Sequence, residues 1–183
     1  EIDVVVLTHL HFDHCGGATR LDREGNIVPT FPKARYLVQR KAWEEACNPN
    51  ERAIPAYSHG CSELDVIKER GQLDLLDGDV DLAPGVKATV ALGHADGHQI
   101  VTVNAGSERL VFLADLVPTS HHLPLPYITA YDRYPDQTLQ AKKEVLARAE
   151  REGWLMIFYH GLVDRAGYIE RRGTSVSLKP VAV

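Results

Sequence analysis

The stretch Ile2-Asp3-Val4-Val5-Val6-Leu7-Thr8-His9-Leu10-His11-Phe12-Asp13-His14-Cys15-Gly16-Gly17 decides the fold. It opens with an apolar run of strand-forming composition, and His9, His11, Asp13 and His14 follow at once. The spacing H-x-H-x-D-H suits two metal ions better than one. With the strand extended through His11, His9 and His11 stand two positions apart with Leu10 between them, so both project from one face and their imidazoles can converge on one cation. A tight turn then lets Asp13 and His14 face a second cation. Imidazole nitrogens with a carboxylate oxygen are the ligands that zinc and its borderline neighbours take.

Four ligands cannot complete two sites, and the remaining chain offers three more. His94 lies in the Gly-flanked turn Leu92-Gly93-His94-Ala95-Asp96-Gly97-His98, after the strand-like Val86 to Val90. Asp115 ends the apolar run Leu110 to Ala114, where a carboxylate can bridge two metals, and His160 ends Trp154 to Tyr159. Each stands where a strand gives way to a loop, the common placement of a site on a rigid scaffold. The other histidines read differently. His98 supports a ligand or packs the turn, His121 and His122 sit in a solvated loop, and His59 carries no signal.

In order, His9, His11, Asp13, His14, His94, Asp115 and His160 resemble the ligand series of the metallo-β-lactamase superfamily. The resemblance implies an α/β fold, the αββα sandwich of that family, over a single hydrolase domain, 1–183. It implies that His9, His11 and His94 hold one metal, that Asp13, His14 and His160 hold the other, and that Asp115 bridges them. The cofactor expected is a pair of divalent ions, zinc first, with manganese, iron or cobalt also compatible. Asp13 and Asp115 are the expected catalytic carboxylates: a water held between two metals loses its proton near neutral pH, and Asp13 can pass a proton to the leaving group.

Within the family, His11 departs from the di-iron flavoprotein branch, which carries Glu there. Asp115 stands where many β-lactamases carry Cys. Only a short segment follows His160, unlike the thioester hydrolases with their helical extension. The H-L-H-F-D-H wording and the tract Ala114 to Pro126 look most like the quorum-quenching lactonase branch. The substrate expected is therefore a lactone of the acyl-homoserine type or a related ester. A phosphotriester hydrolase, or a metal-binding fragment without turnover, is the alternative. In the lactonases a tyrosine follows the bridging Asp at the position of Pro118, so Tyr127, Tyr131 or His122 would have to contact substrate instead.

Family members place further sheet ahead of this motif, so the chain reads as an N-terminally truncated version. An open sheet edge and an uncovered apolar face follow, and they predict a homo-oligomer. The formal charge of −5 gives no footprint for nucleic acid. Arg165, Arg171 and Arg172 form only a short basic patch. No apolar run suits a membrane. Three cysteines, an odd count, argue against a disulfide framework and for a cytoplasmic location. Cys15 is expected to pack in its turn.

Strands are predicted over 2–7, 34–39, 73–76, 86–91, 99–104, 109–114 and 155–159, and helices over 40–47, 62–70 and 136–151. The last helix carries Leu139, Val145, Leu146 and Ala149 on one face, an expected Glu144–Arg148 pair and Gly153 as its stop. Residues 48–60 read as a loop or lid, and 118–135 as a segment rich in proline and aromatics.

Overall fold

The computed structural model describes residues 2–57, 60–173 and 175–182. They form two compact units, Glu1–Gly78 and Asp79–Val183. His59 lies outside the described residues.

In the first unit, the apolar run becomes β1 (Val4–Val6), and the motif turn becomes α1 (Phe12–Cys15). A short hairpin follows, β2 (Thr19–Leu21) with β3 (Ile27–Pro29), then β4 (Arg35–Gln39), α2 (Arg40–Cys47), α3 (Gly60–Glu69) and β5 (Leu73–Leu76). The strands β1, β4 and β5 form a parallel sheet in that order. Its central strand carries Tyr36 and Val38, both fully buried. The Tyr36 hydroxyl accepts from Phe31 N at 2.9 Å, which ties the sheet to the loop before it. Ala42, Trp43 and Ala46 of α2, with Leu64 and Ile67 of α3, join the same core. Cys15 is buried there too, its thiol donating to Leu10 O at 3.5 Å. At the sheet's edge Ile2 and Val4 are 47% and 46% exposed.

The cysteine argument against a disulfide is corrected here: Cys47 and Cys61 are bonded, and Cys15 stays outside the bridge. The odd count reflects one bridge plus one core residue. The bridge joins the end of α2 to the start of α3 over a separation of 14 residues, and closing a loop of that size contributes about 3 kcal/mol on a chain-entropy basis. The segment it closes is not structureless, because Ile54–Tyr57 forms a 3-10 turn and Tyr57 is buried.

The second unit is built on a seven-stranded sheet. Along the chain come β6 (Val80–Ala83), β7 (Val86–Val90), β8 (Gln99–Ala105), β9 (Glu108–Phe112), α4 (Pro135–Glu152), β10 (Leu155–Ile157), β11 (Ala166–Arg172) and β12 (Ser175–Pro180). In space the order is β12-β11-β10-β9-β8-β7-β6. All pairs are antiparallel except β9 with β10, whose parallel pairing requires the crossover that α4 supplies. Leu146 and Ala149 of α4 pack into a core with Val111, Leu113, Met156 and Phe158. Pro135 opens the helix, and Gly153 closes it in the left-handed conformation, φ 66°.

Two side chains of α4 depart from expectation. Arg148 pairs with Glu152 at 3.0 Å rather than with Glu144, since Glu152 is already held by Trp154 Nε1 and Arg109. Lys142, one turn before Leu146, is buried. Its ammonium donates to the carbonyls of Pro124 and Tyr127, each at 2.8 Å, pinning that loop to the helix. Burial pushes its pKa down to about 8.

Five strands escaped the pattern reading. The hairpin strands β2 and β3 are three residues each, and β6 is a four-residue edge strand. In β11 and β12 charged residues interrupt the apolar alternation. Their arginines do not form a free basic patch, because Arg171 is paired with Glu150 and Arg172 with Glu170.

Candidate metal centre

The motif residues of the first unit gather as their spacing requires, by a different backbone route. The strand ends at Val6, not His11, with Leu7 N still donating to Leu37 O at 2.9 Å. His11 keeps an extended backbone, φ −64° and ψ 146°, and caps α1. Its carbonyl accepts from His14 N at 2.9 Å and from Cys15 N at 3.1 Å, closing the turn that swings Asp13 and His14 round. The His9 ring lies 4.5 Å from that of His11 and 4.2 Å from that of His14, centroid to centroid. Asp13 Oδ2 is 3.5 Å from His14 Nε2. Ligand atoms of His9 and His11, of His9 and His14, and of Asp13 and His14 lie within 4.8 Å of each other.

His9 is fully buried, and Thr8 Oγ1 is 3.2 Å from its Nδ1. The His11 ring meets Tyr57 at 5.0 Å, so the segment expected to act as a lid does touch the motif. Three imidazoles this close would repel one another as cations. As neutral donors beside a carboxylate they offer the ligand set of zinc and its neighbours, so these residues fit a metal.

In the second unit, geometry follows from the parallel pair. Phe112 and Ile157 are register partners at the carboxyl ends of β9 and β10. Asp115 and His160 each lie three residues beyond, so the two strands deliver them side by side. His160 N donates to Pro118 O at 3.0 Å, fixing the two loops together. Asp115 Oδ1 is 3.3 Å from His160 Nε2, and Asp115 Oδ2 is 3.3 Å from His94 Nε2. One carboxylate thus presents its two oxygens to two different imidazoles, the disposition a bridging ligand needs.

The turn before Asp115 is strained: Ala114, fully buried, has φ 45°, a left-handed conformation that non-glycine residues seldom hold without compensation. His98 supplies part of that compensation. Its Nε2 accepts from Asp115 N at 3.3 Å while its Nδ1 lies 3.0 Å from Ala91 O. With both ring nitrogens engaged on backbone, His98 braces the turn that carries Asp115.

His94 is 2% exposed. Its turn leaves β7 through Ala91, with Gly93 at φ 130° and Gly97 at φ 65°. Arg133 N donates to His94 O at 3.1 Å and Tyr134 N to Gly93 O at 2.8 Å, so residues 132–134 lie along the turn. Asp132, which pattern reading passed over, is 3% exposed and sets Oδ1 at 2.9 Å from His94 Nδ1. Thr129 Oγ1 donates to the same oxygen at 2.6 Å. Burial alone would raise the Asp132 pKa, but hydrogen bonds from His94, Thr129 and Thr138 hold it below the ordinary carboxylate value. A lone acid inside a proline-rich and aromatic tract gives no spacing signal. Only its contact reveals it.

The candidates for substrate contact differ in setting. Tyr127 and Tyr131 are 60% and 83% exposed. His122 stands in a 3-10 turn, its Nδ1 2.8 Å from Thr119 Oγ1, and burial together with the Lys142 charge lowers its pKa.

Comparison with known proteins identifies the family and the fold. The family profile described as the metallo-beta-lactamase superfamily matches residues 1–160. An N-acyl homoserine lactonase of Bacillus thuringiensis is 26% identical over 161 residues, covering 86% of this chain and 55% of the relative. A structure described as a probable metal-dependent hydrolase from Staphylococcus aureus superimposes with TM-score 0.80 at 28% identity, covering all of this chain and 64% of that one. AidC, a dizinc quorum-quenching lactonase solved with a product, superimposes with TM-score 0.79 at 20% identity, over all of this chain and 65% of that one. The chain thus spans little more than half the length of the curated relative.

Proposed function

The chain belongs to the metallo-β-lactamase superfamily, and from that premise we propose that it is a metal-dependent hydrolase that opens lactones of the N-acyl homoserine type or related esters. The observation that carries the proposal is Asp115, with one carboxylate oxygen 3.3 Å from His94 Nε2 and the other 3.3 Å from His160 Nε2. In this reading His9, His11 and His94 hold one divalent cation and Asp13, His14 and His160 a second, with Asp115 between them. Zinc is the first choice by ligand type. The similarity to a relative named N-acyl homoserine lactonase supports the substrate class.

When bound, the cations supply Lewis acidity toward the substrate carbonyl and a nucleophile from water at neutral pH. The chain's own groups do the remaining work. Asp115 would offer one carboxylate oxygen to each cation, as its two contacts with His94 and His160 allow. His98 holds the Asp115 backbone through its N–H. Asp13, solvent-exposed and beside His14, carries the proton to the leaving alkoxide.

Metal removal tests the proposal. Protein purified without chelator should carry close to two equivalents of metal by elemental analysis and should open N-hexanoyl homoserine lactone. Exhaustive chelation should abolish turnover, and added zinc should restore it. Turnover that survives chelation would overturn the metal mechanism, and two bound metals with no lactone opening would overturn the substrate.

The proposal includes a homo-oligomer, supported by the exposed Ile2 and Val4 at the edge of the three-stranded sheet. A monomer by light scattering at micromolar concentration would remove it. Among the described residues no helix is long and apolar enough to cross a membrane. With Cys47 and Cys61 bonded, the cysteines no longer speak for a cytoplasmic location.

A further inference from the structure

We propose that Asp132 is a positioning residue for His94: it fixes the imidazole as the Nδ1–H tautomer and so presents Nε2, the nitrogen facing Asp115, as the metal-binding atom. The inference rests on the proposed metal function for its purpose, but the tautomer stands on its own geometry. His94 divides its two nitrogens between two carboxylates, with Nδ1 2.9 Å from Asp132 Oδ1 and Nε2 3.3 Å from Asp115 Oδ2. A neutral imidazole has one N–H, so it can donate to only one of them. Asp132 has the shorter contact.

The surroundings of Asp132 make it an immobile acceptor. Its Oδ1 already receives the Thr129 hydroxyl at 2.6 Å, and its own N–H donates to Thr129 O at 3.2 Å. The next two residues are bonded back to His94 O and Gly93 O. Arg133 also reaches Asp96 Oδ2, across the same turn, at 3.1 Å. The carboxylate and the imidazole therefore ride on one hydrogen-bonded piece of backbone, and the ring can rotate only by breaking the Asp132 contact. Lys142 anchors the segment from the other end through the carbonyls of Pro124 and Tyr127. A carboxylate behind a metal-bound histidine also raises the basicity of the ligating nitrogen.

The first measurement uses the unmodified, metal-free chain. Nitrogen-15 NMR of the histidine side chains, with His94 assigned by its loss in His94→Gln, should show Nδ1 protonated and Nε2 bare. An Nε2–H tautomer would overturn the proposal whatever the mutants do. The second measurement is zinc affinity by competition with a chromophoric chelator. Asp132→Asn, of nearly the same shape, should weaken zinc about 10- to 100-fold, the usual cost of losing such an outer partner. Asp132→Glu should recover part of that loss. Thr129→Val, which leaves the carboxylate in place, should weaken zinc less than Asp132→Asn.

A purely structural role predicts another pattern: a lower melting temperature for metal-free Asp132→Asn with zinc affinity unchanged once folded. That result would also overturn the proposal. If the unmodified chain binds no zinc, the proposed hydrolase function fails, and the tautomer measurement still decides what Asp132 does to His94.

Discussion

If the proposed two-metal lactonase function holds, Asp115→Ala is expected to cut kcat/KM for lactone opening at least about 10³-fold, equivalent to about 4 kcal/mol of transition-state stabilisation, and to lower bound metal from the proposed two equivalents to one or fewer. The size follows from the position of this carboxylate between two imidazoles, 3.3 Å from a nitrogen of each. No other described acid has that disposition in the second unit: Asp132 reaches His94 from its far side, through Nδ1. Removing this carboxylate therefore leaves His94 and His160 without their shared anionic partner, and two cations bound there would lose the negative charge that offsets their mutual repulsion. Asp115→Asn sharpens the reading. It keeps the shape and one carbonyl oxygen but loses the charge, so it should retain more metal than Asp115→Ala and still lose most activity. Metal-replete Asp115→Ala protein with full activity would remove the bridging role. The comparison is made on metal-free folds of matched melting temperature, because the strained Ala114 beside it, φ 45°, makes this turn sensitive to any change.

The seven ligand candidates could be proposed from sequence because each lies close to where an apolar run stops, and the chemistry of His and Asp at such ends is restrictive. Two further facts were hidden for a physical reason. Asp115 and His160 are brought together by the register of β9 with β10, Phe112 opposite Ile157, and register between strands separated by a helix is not written in local pattern. Asp132 acts through one hydrogen bond made by a loop folded onto the His94 turn, which no periodicity marks. Helices α2 and α4 were readable to within a residue or so, α4 because its apolar face and the Gly153 stop agree. Lys142 was not, since a lysine in a charged helix face reads as solvated until three carbonyls converge on it. The Cys47–Cys61 bridge escaped because pairing depends on the turn from α2 to α3, which brings the two Cα atoms to 5.1 Å, not on the parity of the count.

Gly93→Ala is expected to be among the most destabilising single substitutions in the second unit, costing about 3–5 kcal/mol, with loss of metal binding at His94 alongside. Two independent causes add. At φ 130° the residue occupies a region open to glycine and strained for any side chain. A Cβ built there would also lie inside the contact distance of the Thr138 backbone nitrogen and Oγ1. Thr138 sits in the first turn of α4 and is 1% exposed, so it has no room to retreat. Relief would have to come from moving the turn that carries His94, and that turn is bonded through Gly93 O and His94 O to residues 133 and 134. The strain therefore passes to His94 itself. Thr138→Ala offers a way to separate the causes, since it removes the side-chain half of the clash but neither the backbone clash nor the φ penalty. The double substitution Gly93→Ala with Thr138→Ala should recover only part of the stability lost, measured by urea denaturation. A stable Gly93→Ala protein with unchanged zinc affinity would show that the turn has slack, and would weaken the view that His94 is held by backbone as rigidly as Asp132 holds its ring.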